Sequence, residues 1–116
     1  MTSPSRGEIW LVDLDPTRGQ EIQKTRPVVV ISSNLFGPIP LRIIIPITTW
    51  QAKFDSRPFM VKLPATPANG LSQDSAANVL QVRSLSIQRF VHYLGQLEPG
   101  LLAEILAGLI VCVDYE

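Results

Sequence analysis

Apolar and polar positions in the first third of the chain follow the spacing of β-strands. Within residues 8–14, Ile9 and Leu11 lie at alternate positions, and residues 27–33 contain a nearly continuous β-branched run. Alternation is typical of a half-buried strand, whereas a continuous run is typical of a strand buried on both faces. Asp15-Pro16 ends the first segment. The sequence therefore predicts two strands joined by a polar loop that is too long for a tight hairpin.

Four more strands are predicted downstream, separated by segments rich in proline, glycine and asparagine. Pro46 lies inside the third strand, so either the ladder breaks there or that end lies at a sheet edge. The loop after the fourth strand should turn at Asn69-Gly70, and a helical turn is expected at 84–88. The third to sixth strands are predicted at 41–48, 58–63, 78–82 and 90–97.

The C-terminal part of the chain changes from strand to helix periodicity. Apolar residues recur at three- and four-residue spacing after Pro99, which suits the first turn of a helix. Six strands followed by one helix predict a mainly β fold, with the helix packed on a small curved sheet. The apolar face of this helix exceeds what one small sheet readily covers, which predicts a homodimer. It comprises Leu101, Leu102, Ile105, Leu106, Leu109, Ile110 and Val113.

Composition narrows the class of protein. A length of 116 residues predicts a single domain, residues 1–116. Ten basic residues balance ten acidic ones, so any nucleic-acid site must be local rather than a general basic surface. Cys112 is the only cysteine, which excludes an internal disulfide and a thiolate metal cluster. Neither a signal peptide nor an apolar run of membrane length is found, which predicts a cytoplasmic protein.

The N-terminal segment carries a specific motif. Residues 6–21 read RGEIWLVDLDPTRGQE, and residues 26–27 read RP. This segment resembles the signature of the MazF/PemK family of toxin endoribonucleases, which is RG-x-I-W/Y-x-V-D-x-D/N-P-T-x-G-x-E followed by RP. Every named position is present, and a less specific resemblance continues to the C-terminal helix. The resemblance implies a small SH3-like β-barrel of the MazF/PemK/CcdB toxin type with a C-terminal helix, usually as a homodimer.

The resemblance also implies an activity. The implied protein is a sequence-specific endoribonuclease that cuts single-stranded RNA by attack of the 2′-hydroxyl. It needs no cofactor and is neutralised by a MazE-like antitoxin. Such cleavage needs a base, an acid, and donors or cations that stabilise the charged phosphorane. One histidine and no carboxylates at ligand spacing favour a metal-free mechanism. The alternative is a protein-binding toxin of the gyrase-inhibitor (CcdB) type, because a fold does not fix a function.

Three residues are candidates for catalysis. Arg26 matches the catalytic arginine of the family, and a guanidinium grips a phosphate through two parallel hydrogen bonds. Thr48 ends the third strand, where the resemblance places a hydroxyl donor, and Thr49 is the alternative. Glu21 lies at the glutamate position of the G-x-E motif. It is a candidate either for the general base or for a group that orients Arg26. Some members use a histidine in this loop or an aspartate where Leu80 stands here, so the identity of the base stays open.

Further polar and aromatic residues are candidates for RNA binding. Gln81 and Arg83 match a Q-x-R/K-S/T segment of the family. An amide suits a base edge and a guanidinium suits a phosphate, although Gln81 is equally compatible with a structural role. Trp50 follows the third strand, either to stack on an unpaired base or to pack within the protein or dimer. Three further candidates for RNA binding are Arg18 and Lys24, in the long loop, and Thr49, beside Thr48.

Overall fold

The computed structural model describes residues 3–14 and 25–114. Within them the chain forms β-strands, short 3-10 turns and one C-terminal helix, which confirms the predicted mainly β class. The strands are β1 (Glu8–Asp13), β2 (Thr25–Val30), β3 (Leu41–Thr49), β4 (Met60–Leu63), β5 (Ser75–Asn78), β6 (Arg83–Ser86) and β7 (Phe90–Gln96), and helix α1 spans Pro99–Cys112. The 3-10 turns are Asn34–Phe36, Ala52–Ser56, Val79–Gln81 and Ile87–Arg89.

The strands join one sheet with the order β4-β5-β3-β2-β1-β7, and β6 pairs with β3. Strand β3 changes partner along its length, because residues 41–44 pair with β6 and residues 47–49 pair with β5. Pro46 lies between these two ladders and opposite Val28 of β2. The strand is therefore central rather than an edge, and the proline sits where the pairing on one side is already interrupted.

The predicted barrel is open in the described part of the chain. No ladder joins β4 to β7, and the loop 64–74 reaches β7 instead. The backbone N–H of Gln96 donates to the carbonyl oxygen of Ala68 at 2.8 Å. A Cβ on Gly70 would lie 2.2 Å from the Leu94 carbonyl oxygen, and Gly70 has φ +71°. Glycine is thus required at the predicted turn, because the loop backbone packs directly against the strand.

Two sequence-based elements are wrong. The fifth strand is residues 75–78 rather than 78–82, and residues 79–81 form a 3-10 turn. Small residues such as Ala76 and Ala77 have weak strand preference, but they are fully buried between β3 and β4, where tertiary packing decides. Of the helical turn expected at 84–88, residues 84–86 belong to β6 instead, because the first half of β3 pairs with them, and residues 87–88 lie in the 3-10 turn Ile87–Arg89.

Both faces of β2 are buried, as expected from its continuous apolar run. Val29 belongs to the core beneath α1, whereas Val28 and Val30 belong to a second core on the opposite face. Trp10 also lies in this second core, with its ring edge-on to Phe90 at 5.8 Å. The two cores fix the relative positions of β1, β2 and β3.

The sheet covers most of the predicted apolar face of helix α1, but Ile110 and Val113 of that face remain exposed. Ile105 is fully buried, and Leu101, Leu102, Leu106 and Leu109 pack on the same core. No helix in the described ranges is long and apolar enough to cross a bilayer. The larger set of exposed apolar side chains lies near the start of β3 instead. It comprises Leu35, Phe36, Ile39, Leu41 and Ile43.

Arg42 is a buried arginine whose partners are mostly backbone carbonyls. Its side chain is 5% exposed and lies in β3. Its donors hold the N-terminal segment against the loop that precedes the strand. Nε donates to the carbonyl of Pro4 (2.8 Å), and the terminal nitrogens donate to the carbonyls of Ile39 (2.7 Å), Leu41 (2.9 Å) and Gly37 (3.3 Å) and to Oγ of Ser3 (2.6 Å).

Candidate active site

Strand register brings Arg26 and Thr48 together. Val28 of β2 pairs with Pro46 of β3 in an antiparallel ladder. Continuing that register by two residues places Arg26 opposite Thr48, with both side chains on the same face. These two residues line a cavity of about 380 Å³ on one side and a cavity of about 510 Å³ on the other. The two catalytic candidates therefore lie where two cavities meet.

The first cavity, named here the cationic cavity, has a positive lining. Arg57 and Arg83 join Arg26 there, and no aspartate or glutamate is present among its described lining residues. Phe54 and Phe59 supply apolar surface in the same cavity. An anion is favoured in such a place because several fixed cations share a concave surface. The remaining described lining residues are Leu14, Pro46, Ile47, Thr48, Met60, Asn78 and Gln81.

The second cavity, named here the neutral cavity, presents hydroxyl and amide groups. Apart from Arg26, its described lining contains no charged side chain. Gln73 Nε2 donates to Oγ1 of Thr49 at 3.1 Å. Neutral donors and acceptors of this kind suit the edges of nucleobases better than phosphates. The polar side chains involved are Thr25, Thr48, Thr49, Ser72, Gln73 and Ser75.

The guanidinium of Arg26 is available for a ligand. Arg26 is half-buried at the start of β2, where its backbone lies opposite Val12 of β1. No hydrogen bond or ion pair joins its side chain to another residue in the described ranges. Pro27 follows it, and the residue before a proline is held in an extended conformation. The strand thus fixes the backbone while the charged group stays open to the cavities.

The two threonines differ in their surroundings. Thr48 lines both cavities, whereas Thr49 lines only the neutral cavity. The Thr49 hydroxyl is exposed and already accepts a hydrogen bond from Gln73. This geometry favours Thr48 over Thr49 as the partner of Arg26.

The structure brings two of the other candidate RNA-binding residues into the cationic cavity. Gln81 and Arg83 line the cationic cavity, so the structure brings both to Arg26. Trp50 is outside the residues that line either cavity. It packs edge-on against Phe54 at 5.8 Å, and Nζ of Lys62 lies 5.1 Å from its ring centroid. Its stacking on RNA stays a prediction. Three candidates lie outside the described residues, namely Arg18, Glu21 and Lys24.

Sequence reasoning missed two residues of the cationic cavity. Arg57 follows the 3-10 turn Ala52–Ser56, with its guanidinium carbon 5.7 Å from the ring centroid of Phe54. The available signal was a second Arg-Pro pair, Arg57-Pro58, which repeats the pair at position 26. Asn78 was assigned only as the start of a strand, and no local pattern marked it.

No group of three or more His, Cys, Asp or Glu side chains within residues 3–14 and 25–114 is placed to hold a metal ion. The catalytic candidates of the described chain are instead a guanidinium and a hydroxyl. Independence from metals remains a prediction, and chelation tests it directly.

Comparison with known proteins identifies the family. The model of the PemK-like, MazF-like toxin of type II toxin–antitoxin systems matches residues 5–113. Endoribonuclease MazF9 of Mycobacterium tuberculosis is 36% identical over 115 residues, which cover 94% of this chain and 95% of that protein. The crystal structure of MazF (Form-I) from Deinococcus radiodurans aligns with a TM-score of 0.79 and 26% identity over 98% of this chain and 99% of that chain. The MazE–MazF (Form-I) structure from the same organism aligns with a TM-score of 0.68 and 25% identity over 97% of each chain. The chain therefore belongs to the PemK-like, MazF-like toxin family of type II toxin–antitoxin systems.

Proposed function

We propose that this chain, a single toxin domain over residues 1–116, is an endoribonuclease toxin that cleaves single-stranded RNA at specific sequences. The observation that carries this proposal is the placement of Arg26 and Thr48 between two open cavities. In the reaction, the 2′-oxygen loses its proton and bonds to the adjacent phosphorus. The bond from phosphorus to the 5′-oxygen then breaks, and that oxygen takes up a proton. The products are a 2′,3′-cyclic phosphate and a 5′-hydroxyl end.

Each candidate has a distinct role in this reaction. Arg26 stabilises the charge that develops on the phosphorane, because its guanidinium presents fixed donors in a partly enclosed site. The Thr48 hydroxyl donates to a phosphate oxygen. No described residue lining either cavity carries a carboxylate or an imidazole. Glu21 is therefore the proposed general base that receives the proton of the 2′-hydroxyl.

The RNA contacts follow from the character of the two cavities. Arg83 binds a backbone phosphate in the cationic cavity, and Gln81 contacts a base edge there. Thr49 contributes a neutral contact in the other cavity. Arg18 and Lys24 are proposed to add positive charge for RNA binding, although they lie outside the described residues. Trp50 is proposed to stack on an unpaired base.

A cleavage assay in excess chelator tests the proposal. A purified transcript incubated with the protein should yield discrete fragments with 5′-hydroxyl ends, because none of the proposed groups requires a metal ion. The rival is the gyrase-inhibitor type of toxin, for which an arginine and a threonine between two cavities have no evident use. Intact RNA together with inhibition of DNA supercoiling would refute the nuclease and support that rival. Bound but uncut RNA would indicate a binding module instead.

Replacing Thr48 by valine should slow cleavage, and less severely than the loss of Arg26. Valine keeps the branched shape and removes the hydroxyl. One hydrogen bond of about 1.4 kcal/mol corresponds to about a tenfold change in rate. Single-turnover cleavage rates measure the effect, and Thr49→Val is the matched control. A larger loss in Thr49→Val than in Thr48→Val would reverse the assignment of the donor.

The proposed partners are a second copy of the chain, an antitoxin and RNA, all in the cytoplasm. Exposed apolar side chains such as Phe36 and Ile39 offer surface for the homodimer, and a monomer at micromolar concentration in sedimentation would contradict it. A MazE-like antitoxin with an acidic tail should compete with RNA for the cationic cavity, since both present negative charge. Simultaneous, independent binding of that tail and an uncleavable RNA would exclude this mode of inhibition.

A further inference from the structure

Asn78 carries a polar atom for which the described fold supplies no partner. It is the last residue of β5 and pairs with Met60 of β4. Its side-chain oxygen Oδ1 is buried, and no described residue donates a hydrogen bond to it. A buried acceptor without a donor disfavours folding, because the oxygen has given up water without replacement. Such atoms are rare in native proteins and require an explanation.

The position of Asn78 points to the substrate. Asn78 lines the cationic cavity together with Arg26 and Thr48. The 3-10 turn that follows it carries Gln81 into the same cavity. The terminal torsion of an asparagine has a broad energy minimum, so its amide turns at little cost. A ligand in the cavity can therefore draw Oδ1 out of its buried position.

The chemistry of the cationic cavity identifies what this oxygen accepts. The three arginines of the cavity are donors only and match phosphate oxygens. Side-chain oxygen acceptors are scarce in its described lining, which offers those of Thr48, Asn78 and Gln81. The exocyclic amino groups of adenine, cytosine and guanine are donors and need such acceptors, whereas uracil has none. The amide oxygen of Asn78 thus fits an amino group of a base rather than a phosphate.

We propose that Asn78 is a specificity-determining residue whose Oδ1 accepts a hydrogen bond from the amino group of a base beside the scissile phosphate. The inference rests on the RNA cleavage proposed above. It adds the class of base that the enzyme selects beside the scissile phosphate. At that position the enzyme selects adenine, cytosine or guanine and rejects uracil. Uracil has a carbonyl oxygen in place of the amino group of cytosine, and that oxygen cannot donate a hydrogen bond to Oδ1.

Cleavage of a random-sequence RNA pool tests the inference. Sequencing the fragment ends gives the base preference at each position around the cut. The wild-type protein should reject uracil at one position by about tenfold or more, which corresponds to one hydrogen bond. Asn78→Leu and Asn78→Ala should still cut RNA but lose this bias. Their melting temperatures should match or exceed that of the wild type, because each variant removes the unpaired oxygen.

Asn69 provides a matched control. It is a second asparagine with little exposure, 3%, but both its amide oxygen and its amide nitrogen have hydrogen-bond partners. Its oxygen accepts from the N–H groups of Thr66 (3.1 Å) and Leu71 (2.9 Å), and its nitrogen donates to the carbonyl of Pro64 (2.9 Å). Asn69→Ala should lower the melting temperature by several degrees and leave the base preference unchanged.

The possible results of these experiments distinguish failure of this inference from failure of the proposed function. Folded Asn78 variants with an unchanged bias would overturn it, and so would a loss of melting temperature in both variants as large as that of Asn69→Ala. Folded variants without any cleavage would assign Asn78 to catalysis and also overturn base selection. A wild-type enzyme that cuts without rejecting uracil at any position refutes the inference alone. A wild-type protein that leaves all RNA intact refutes the proposed function.

Discussion

Arg26→Ala should reduce the rate of RNA cleavage by about 100-fold or more while the protein stays folded. Loss of one preorganised donor to a developing anion commonly has an effect of that size. The fold should survive because the side chain is half-buried and makes no hydrogen bond within the described chain. Single-turnover cleavage rates, with circular dichroism as a check of folding, measure the result.

Two further variants sharpen this prediction. Arg26→Lys keeps the charge but loses the planar pair of donors, so it should recover only part of the rate. Lys53→Ala removes one positive charge from an exposed residue of the turn Ala52–Ser56 that lines neither cavity, and this variant should cut at nearly the wild-type rate. A folded Arg26→Ala protein that cuts within a few-fold of wild type would remove Arg26 from the catalytic site.

Arg42→Ala should cause the largest loss of stability of any single arginine in the described chain. The change removes the donor to the buried Pro4 carbonyl and to partly buried carbonyls of the loop 37–41, and detaches residues 3–4 from that loop. Hydrogen bonds to a charged group contribute about 1.5–3 kcal/mol each, and some carbonyls will regain water, so the free energy of unfolding should fall by about 2–4 kcal/mol. Urea unfolding at one fixed protein concentration measures it, because association also affects stability.

Arg83→Ala is the matched control for stability. Arg83 is exposed at the start of β6, and its loss should change the free energy of unfolding by about 0.5 kcal/mol or less. Arg42→Lys should recover little, since an ammonium cannot reach carbonyls on three sides as a guanidinium does. Equal stability of the two alanine variants would show that the carbonyl contacts of Arg42 contribute nothing net to the fold.

The sequence predicted those parts of the fold that local patterns determine. Strands β1, β2 and β3 contain long β-branched or alternating runs, and α1 has a clear helical period, so their existence was evident. Strand β5 was misplaced because Ser75, Ala76 and Ala77 resemble a loop by composition. They form a strand only because β3 and β4 lie on either side of them. That information is tertiary and has no local signal.

The same distinction applies to the site. Arg26 and Thr48 were found by motif, and the register of β2 and β3 explains why they meet. Arg57 and Asn78 join them from segments that are distant in sequence, through the packing of β4 and β5. A single sequence contains no pattern that shows these distant segments to be in contact. The Arg57-Pro58 pair was visible in the sequence, but only the folded chain places Arg57 and Asn78 beside the motif.

The meeting of two cavities at Arg26 and Thr48 also determines which forms of RNA are substrates. Because a cavity adjoins Arg26 and Thr48 on each side, we expect an RNA strand to pass through the proposed site and leave it in either direction. Among residues 3–14 and 25–114, none closes off both cavities where a terminus would have to be recognised. A covalently closed circle that carries the recognition sequence in an unpaired stretch should thus be opened as readily as the linear molecule. Blocking the 5′ or 3′ end of a transcript should then not prevent cleavage. Only secondary structure or bound proteins that make the recognition sequence inaccessible should prevent it.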